Sequence, residues 1–431
     1  MTLFASTRDP SLAVGFRVAL MQGLSPDGGL FVPASMPQVT PREFDGLESL
    51  PAIAARLLTP FVGADPLAQA LPGLSAAAFN WPAPLRPLDE DGRLFVLELF
   101  HGPTAAFKDF GARFLSVCFE RLRTPGARAL TILVATSGDT GAAVAAAFFG
   151  RPDVEVAVLF PKGLVSPTQE RQLTCWGGNV RSLCVRGTFD DCQRLVKDAF
   201  ADAALKARTV MSSANSINLG RLLPQMTYFA AASLEVWRSY GEPASFIVPS
   251  GNLGNSLACL WARAVGLPIA QVVLAHNANR TVPDYLESGV WRPRPSIATL
   301  ASAMDVGDPS NAERLRALYP DFNELRAAVS ACSVSDDEIR ARIRADYRSR
   351  GQIWCPHTAT AAEAYEQLPE ARRAGNRWVI VSTAHPAKFP EIVEPLIGHA
   401  VPVPPSLAEL FARAGSCVEI EPELGALRAA L

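Results

Sequence analysis

The stretch IVPSGNLGNSLACLWARAVG, residues 247–266, joins a short apolar run, a glycine-rich turn and an amphipathic segment. The apolar run has the length of a buried strand, and the amphipathic segment has the period of a helix that a glycine ends. A second stretch, VATSGDTGAAVAAAFFG at residues 134–150, repeats this order of strand, Ser-Gly turn and helix. Backbone N–H groups and the positive end of the helix dipole gather at such turns. Either turn alone is equally compatible with a tight connection that binds nothing, but two in one chain favour a site for two anionic groups.

Strand and helix patterns alternate around these two stretches. This alternation predicts an α/β fold whose parallel sheets are covered by helices, with ligands at the carboxyl ends of the strands. The predicted strands are 129–136, 154–161, 244–250, 269–277 and 377–384, and the predicted helices are 141–150, 189–205 and 255–266.

A proline-rich connector at residues 79–94 suggests a domain boundary. We predict an N-terminal accessory domain at 1–85. An α/β domain at 86–220 would carry Lys108 and the substrate site, and a second α/β domain at 221–431 would carry the GNLGN loop.

The composition excludes several classes of protein. The chain has 431 residues, of which 49% are hydrophobic and 19% charged, and its net charge of −2 does not suggest a nucleic-acid partner. No apolar run has the length of a membrane span, and the N-terminus lacks a signal-peptide pattern, so a cytoplasmic protein is expected. The eight cysteines include no C-x-x-C pair, and neither a metal site nor a disulfide framework is expected.

The two turns and one lysine together indicate the cofactor. Neither turn is a G-x-x-x-x-G-K loop or a G-x-G-x-x-G loop, which disfavours nucleoside triphosphates and dinucleotides. In HGPTAAFKDFG, residues 101–111, Lys108 lies between Phe107 and Phe110. Pyridoxal 5'-phosphate needs a phosphate cradle and a neutral lysine amine, and an apolar setting lowers the pKa of an amine. The competing interpretation is an ordinary exposed lysine, the commoner state of this residue type.

Five motifs in a fixed order carry a family resemblance: HGPTAAFKDFG, ATSGDTGAA, SANSIN, PSGNLGN and TAHPAKF. The chain resembles the threonine synthases of the bacterial and fungal type, which are pyridoxal-phosphate enzymes of the tryptophan-synthase-β fold group. The resemblance extends from about residue 15 to residue 400. It implies fold type II, with two open, mostly parallel sheets, helices on both faces and an N-terminal accessory domain.

The resemblance also implies a lyase reaction in which O-phospho-L-homoserine and water give L-threonine and phosphate. Elimination at Cγ would precede hydration at Cβ, with Lys108 as the Schiff-base lysine and proton shuttle. The same fold also hosts phospho-lyases that resemble threonine synthase, amino-acid dehydratases and, in principle, inactive binding proteins. The expected partner is a small-molecule substrate, without nucleic acid or membrane, and the expected assembly is a monomer or homodimer.

The resemblance assigns roles to individual residues. Thr383 would face the ring nitrogen of the cofactor, and Asp139 would either contact the ring oxygen or cap a helix. The residues expected at the cofactor are Lys108, Gly251, Asn252, Leu253, Gly254, Asn255, Thr383 and Asp139. The residues expected at the substrate are Thr136, Ser137, Thr140, Asn215, Ser216 and Arg221, of which the last three would hold its phosphate.

Overall fold

The computed structural model describes residues 2–123, 126, 128–136 and 138–431. The strands, numbered along the chain, are β1 (Phe4–Ser6), β2 (Ala13–Val14), β3 (Phe31–Pro33), β4 (Leu85–Pro87), β5 (Leu94–Glu98), β6 (Leu130–Ala135), β7 (Val154–Pro161), β8 (Val180–Val185), β9 (Val210–Ser213), β10 (Ala244–Pro249), β11 (Ile269–His276), β12 (Ser330–Ser333), β13 (Arg377–Ser382) and β14 (Val418–Ile420).

Helices cover the faces of the sheets. They are α1 (Phe16–Gln22), α2 (Leu50–Val62), α3 (Leu71–Ala78), α4 (Lys108–Leu122), α5 (Asp139–Phe148), α6 (Pro167–Thr174), α7 (Phe189–Ala201), α8 (Ala203–Arg208), α9 (Leu219–Leu222), α10 (Met226–Tyr240), α11 (Gly254–Ala264), α12 (Thr281–Ser288), α13 (Ala312–Leu318), α14 (Phe322–Ala328), α15 (Asp336–Arg350), α16 (Pro356–Glu366), α17 (Glu370–Ala374), α18 (Pro390–Ile397), α19 (Pro405–Ala412) and α20 (Leu424–Ala430). Short 3-10 turns lie at Pro41–Phe44, Leu223–Gln225, Ser302–Met304 and Pro386–Lys388.

The strands of the described residues form three sheets. A small antiparallel sheet has the order β2-β1-β3. The largest sheet has the order β12-β11-β10-β13-β5-β4 and is parallel except where β4 meets β5. The third sheet, β14-β8-β7-β6-β9, is parallel throughout. The two parallel sheets confirm the predicted fold class.

The central strands are buried along their whole length. Every residue of β6, β10 and β13 is buried, as expected for parallel strands that helices cover on both faces. The predicted strands agree with the observed ones to within two residues at either end. Within the described part of the chain, no helix is both long and apolar enough to cross a membrane.

One sequence expectation needs correction. The predicted helix 189–205 is broken at Asp202, where the backbone is extended and the carboxylate accepts a hydrogen bond from Leu205 N (2.8 Å). Aspartate favours this helix-capping position, and that local preference ends one helix and starts the next. The predicted boundary at residue 220 does not separate the two large sheets, because β5 pairs with β13 and β14 pairs with β8. The division into three consecutive domains stays a prediction.

Within each parallel sheet, the sequence motifs lie at the same edge. Residues 136–140 follow β6, residues 215–216 follow β9, residues 251–255 follow β10, and Thr383 follows β13. In each sheet these positions are carboxyl ends, where α/β folds bind ligands.

Candidate active site

Lys108 begins α4 beside the end of β13. The amide of the preceding Phe107 donates a hydrogen bond to the carbonyl oxygen of Thr383 (2.9 Å). The Lys108 side chain is half-buried, and its Nζ lies 5.8 Å from the centre of the Phe107 ring. Among the described residues, Nζ has no hydrogen-bond acceptor and no ion-pair partner. The structure therefore brings the predicted lysine and Thr383 together.

The surroundings of Lys108 favour its neutral form. Burial lowers the pKa of Lys108 to about 8; Asp139 opposes this shift, while the positive charges of Arg221 and Lys388 add to it. An amine with this pKa loses its proton close to neutral pH, and the neutral amine is the nucleophile.

The loop at 251–255 presents main-chain N–H groups. The amides of Gly251, Asn252 and Leu253 have no acceptor among the residues that the structure describes. Leu253 has a left-handed backbone (φ 62°) and turns the chain into α11, so the loop lies at the N-terminus of an eleven-residue helix. Free amides at a helix N-terminus form an anion cradle, which fits the phosphate of the expected cofactor.

Side chains inside the same loop fix its shape. Asn255 donates to the carbonyl oxygen of Pro249 (2.9 Å) and accepts from Ser250 Oγ (2.8 Å). A Cβ atom on Gly251 would lie 2.7 Å from Met304 Cα, so the main chains approach closely only because this residue is glycine. Asn255 thus shapes the loop through its side chain, and its contact with the cofactor stays a prediction.

The loop at 136–140 is held by the hydroxyl of Thr136. This oxygen accepts hydrogen bonds from the amides of Gly138 (3.0 Å) and Gly141 (2.9 Å). Thr140 is half-buried in the first turn of α5, and Ser137 lies outside the described residues. The Thr136 hydroxyl is therefore engaged within the loop, and the substrate contacts of these three residues stay predictions.

Asp139 makes an ion pair that the sequence did not suggest. Its Oδ1 lies 2.7 Å from Nζ of Lys388, and both side chains are buried. The structure shows no side-chain cap at α5, so the helix-cap alternative for Asp139 is not observed, and its contact with the ring oxygen stays a prediction. Burial alone would raise the pKa of Asp139, but the charges of Lys388 and Lys108 hold it well below its ordinary value.

Asn215 and Ser216 join the two glycine loops. Asn215 Nδ2 donates to the carbonyl oxygen of Ala135 (3.2 Å), at the start of the 136–140 loop. Its Oδ1 is buried without a partner among the described residues. Ser216 Oγ accepts from Asn252 Nδ2 (2.8 Å), in the other loop. The segment after β9 thus connects both cradles.

Arg221 is a buried guanidinium with almost no protein partner. The residue is 3% exposed, its Nη1 donates to the carbonyl oxygen of Ala214, and its Nε is buried without an acceptor in the described part of the chain. No carboxylate among those residues pairs with it. Burial lowers the pKa of Arg221 to about 10, against the effect of Asp109. Such a charge is costly unless an anion compensates it, which marks an anion site.

Arg221 also lies against α4, the helix that begins at Lys108. A Cβ atom on Gly111 of α4 would overlap the Arg221 carbonyl oxygen, so α4 and α9 are in close main-chain contact. The Arg221 guanidinium is therefore close enough to Lys108 for its positive charge to lower the pKa of the Lys108 amine.

Comparison with known proteins identifies the family. Residues 77–384 match the family described as "Pyridoxal-phosphate dependent enzyme", residues 3–79 match "Threonine synthase N terminus", and residues 358–431 match "Threonine synthase, C-terminal". The threonine synthase of Haemophilus influenzae is 40% identical over 406 residues, which are 93% of this chain and 92% of that protein.

The chain belongs to the threonine synthase family.

Solved threonine synthase structures share the whole fold. The Escherichia coli structure has a TM-score of 0.90 and 37% identity, covering 100% of this chain and 99% of that one. A pyridoxal-phosphate-bound structure from Brucella melitensis has a TM-score of 0.90 and 34% identity, covering 100% and 98%. The expected family, fold and cofactor are thereby confirmed.

Arg314 lies outside the predicted site and binds the loop that carries Ser216. It is 0% exposed, and its guanidinium donates to the carbonyl oxygens of Phe31 (3.0 Å), Ser216 (3.2 Å) and Ile217 (2.7 Å). It also donates to Asn311 Oδ1 (2.7 Å). This side chain ties the N-terminal segment to the loop that carries Ser216.

We expect Arg314→Met to destabilise the protein. The substitution removes the donor from the carbonyl oxygen of the buried Phe31 and from those of the half-buried Ser216 and Ile217, and an unsatisfied buried group costs roughly 1–3 kcal/mol. The free energy of unfolding, measured with urea, should fall by at least about 2 kcal/mol. The control is Arg316→Met on the same helix, where an exposed guanidinium stacks on Trp291 and is worth about 0.5–1 kcal/mol. Equal losses for both variants would contradict this role.

Sequence reasoning missed both Lys388 and Arg314. A signal for Lys388 was available, because it lies in the TAHPAKF motif and is one of only five lysines in the chain. Arg314 had no such signal. In the segment NAERLRAL it alternates with apolar residues in the same way as the exposed Arg316.

Proposed function

We propose that this chain converts O-phospho-L-homoserine and water to L-threonine and inorganic phosphate, with pyridoxal phosphate as cofactor. The proposal is supported by the threonine synthase relatives and by one feature of the site. That feature is Arg221, a buried guanidinium beside Lys108 that lacks an anionic partner among the described residues. A substrate phosphate is the anion that a planar guanidinium binds best, through two parallel hydrogen bonds.

We assign the cofactor to the cleft between α4, the loop at 251–255 and the end of β13. The free amides of Gly251–Leu253 and the start of α11 would hold its phosphate, with Gly254 and Asn255 shaping the turn. Thr383 would meet the ring nitrogen, and Asp139 would lie near the ring. When bound, pyridoxal phosphate supplies an aldehyde for the Lys108 amine and a ring that accepts electrons from the substrate.

The protein groups then divide the remaining work. Lys108 removes the Cα proton of the substrate and finally returns one. Arg221, with Asn215 and Ser216, holds the phosphate while its bond to Cγ breaks, after loss of a Cβ proton. Water adds its oxygen at Cβ, and the products are threonine and phosphate in equal amounts. The loop at 136–140, with Thr136, Ser137 and Thr140, is assigned to the polar groups of the amino acid.

Product analysis tests the function directly. Purified protein is supplied with O-phospho-L-homoserine, and phosphate and threonine are measured together. We expect one threonine for each phosphate released. Release of phosphate with a 2-oxo acid in place of threonine would identify a phospho-lyase instead, and no release would contradict the proposal. L-Serine and L-threonine, offered as alternative substrates, should react far more slowly because neither supplies a phosphate for Arg221.

Thr383 is expected to control by-product formation. A hydroxyl donates a hydrogen bond to an uncharged ring nitrogen, whereas an aspartate favours a protonated ring, which is a stronger electron sink. Thr383→Asp should therefore increase the ratio of pyridoxamine phosphate to threonine severalfold during turnover. Chromatography of the released cofactor measures this ratio. Thr383→Ser keeps the hydroxyl and should leave the ratio unchanged; an unchanged ratio in Thr383→Asp as well would place Thr383 away from the nitrogen.

The remaining expectations form part of the same proposal. The chain is expected to act in the cytoplasm as a monomer or homodimer, on a small-molecule substrate. Sedimentation velocity of the purified protein distinguishes the two assemblies.

A further inference from the structure

Two of the five lysines, Lys108 and Lys388, lie close enough for the charge of Lys388 to lower the pKa of Lys108. Lys162, Lys197 and Lys206 are exposed, whereas Lys388 is 0% exposed and lies in the 3-10 turn Pro386–Lys388 shortly after Thr383. A fully buried ammonium is costly, and it persists only where hydrogen bonds and an opposite charge compensate it.

Lys388 is held from two sides. Its Nζ donates to the carbonyl oxygen of Thr104 (2.9 Å) and lies 2.7 Å from Asp139 Oδ1. Thr104 is itself fixed, because its amide (2.8 Å) and hydroxyl (2.6 Å) both donate to the carboxylate of Asp109, next to Lys108. The ammonium therefore has a defined position between the lysine motif and the N-terminus of α5.

Asp139 lies within the electrostatic reach of both lysines, but it forms its close contact with only one of them. Lys388 takes the ion pair, while Nζ of Lys108 has no carboxylate partner in the described part of the chain. Besides each other, Lys108 and Asp139 interact electrostatically with Arg221, Lys388, His357 and Cys355 among the described residues. After Lys388, the cation with the largest electrostatic effect on Asp139 is Lys108.

We propose that Lys388 is a positioning residue that holds the Asp139 carboxylate in an ion pair of its own and so leaves the Lys108 amine free to lose its proton. The inference rests on the assignment of Lys108 as the cofactor-bearing lysine. It explains why a second lysine is buried here, since a lone Asp139 would stabilise the ammonium form of Lys108, and the ammonium cannot react with an aldehyde.

Competitive acetylation of the full-length protein tests the proposal. Cofactor is removed with hydroxylamine, trace acetic anhydride is added at pH values from 6 to 11, and the acetylation of each lysine is measured by mass spectrometry. The exposed Lys197 and Lys206 are internal references. In the unaltered protein, the midpoint for Lys108 should lie near pH 8. In Lys388→Met it should rise by about one pH unit or more, because a negative charge has lost its partner.

Two further variants separate charge from structure. Asp139→Asn in the Lys388→Met background removes the uncompensated carboxylate and should return the midpoint towards that of the unaltered protein. Asp139→Asn alone leaves the Lys388 ammonium unpaired and should lower the midpoint for Lys108. The control is Lys162→Met, which removes an exposed lysine paired with Glu419 (2.6 Å). This variant should leave the midpoint for Lys108 unchanged.

Each outcome either supports or overturns the proposed role of Lys388. An unchanged or lower midpoint in Lys388→Met, or a double variant that keeps the raised midpoint, would overturn the proposal. If Lys388→Met does not fold, Asp139→Asn alone decides, and an unchanged or higher midpoint there overturns it. Neither the cofactor nor the substrate is present in this measurement. Failure to form threonine from O-phospho-L-homoserine would therefore contradict the proposed function without altering this result.

Discussion

Replacing Lys108 with alanine is expected to abolish threonine formation. The substitution removes both the amine that bonds to the cofactor and the base that moves the Cα proton. Proton transfer by a positioned base contributes on the order of 10²–10⁴ in rate, so kcat should fall by roughly 1,000-fold or more. The yield of threonine from O-phospho-L-homoserine measures the loss, and the variant should still fold because Lys108 makes no hydrogen bond or ion pair in the described part of the chain.

Covalent trapping checks the same assignment without turnover. Borohydride should fix pyridoxal phosphate irreversibly to one peptide of the unaltered protein, and that peptide should contain Lys108. The Lys108→Ala variant should release all of its cofactor on denaturation. The matched control is Lys162→Ala, an exposed lysine outside the cleft, which should trap as much cofactor as the unaltered protein. Trapping on any other lysine would refute the assignment.

The rate of cofactor capture should depend on pH in a defined direction. Only the neutral amine reacts with the aldehyde, and the neutral fraction of Lys108 increases as the pH rises through about 8. The rate of capture by cofactor-free protein should therefore rise with a midpoint near pH 8. An ordinary lysine has a pKa near 10.4, so a midpoint above pH 10 would show that burial does not act on this amine.

Replacing Arg221 with methionine is expected to cost substrate recognition while sparing the cofactor. A hydrogen bond to a charged group contributes about 1.5–3 kcal/mol, so kcat/KM for O-phospho-L-homoserine should fall by roughly 10–150-fold for each lost contact. The absorbance of the bound cofactor should stay unchanged. Loss of cofactor with unaltered substrate recognition would instead assign Arg221 to the cofactor phosphate.

Stability provides a second, independent test of Arg221. A guanidinium that serves a ligand contributes little to the unliganded fold, because its burial is barely compensated by the protein. In the absence of substrate and phosphate, Arg221→Met should therefore unfold at the same temperature as the unaltered protein or a higher one. Arg314→Met, which removes a buried guanidinium with four protein acceptors, should unfold at a lower temperature. Destabilisation of both variants to the same extent would assign Arg221 a structural role.

Local patterns in the sequence were sufficient to predict most strands and helices and to select the candidate site residues. The strands from Leu130 and Ala244 and the two glycine turns were predictable from neighbouring residues, and neighbouring residues also made Lys108 the candidate for the cofactor lysine. Periodicity of apolar residues, the conformational freedom of glycine and the free amides of a helix start are short-range properties. The break at Asp202 was missed because an amphipathic pattern continued across it while capping chemistry ended the helix.

Only the tertiary structure decided which of these residues act together. Strand β5, before the predicted boundary at residue 220, pairs with β13, which follows that boundary. This pairing places Lys108 beside Thr383. Lys388 reaches Thr104 across 284 positions of sequence and compensates Asp139. Arg221 and Arg314 are both buried arginines, yet only one of them has acceptors for most of its N–H groups. The physical reason is that the state of a buried charge depends on partners that are distant in the chain, whereas a residue's tendency to form a strand, turn or helix depends mainly on its neighbours.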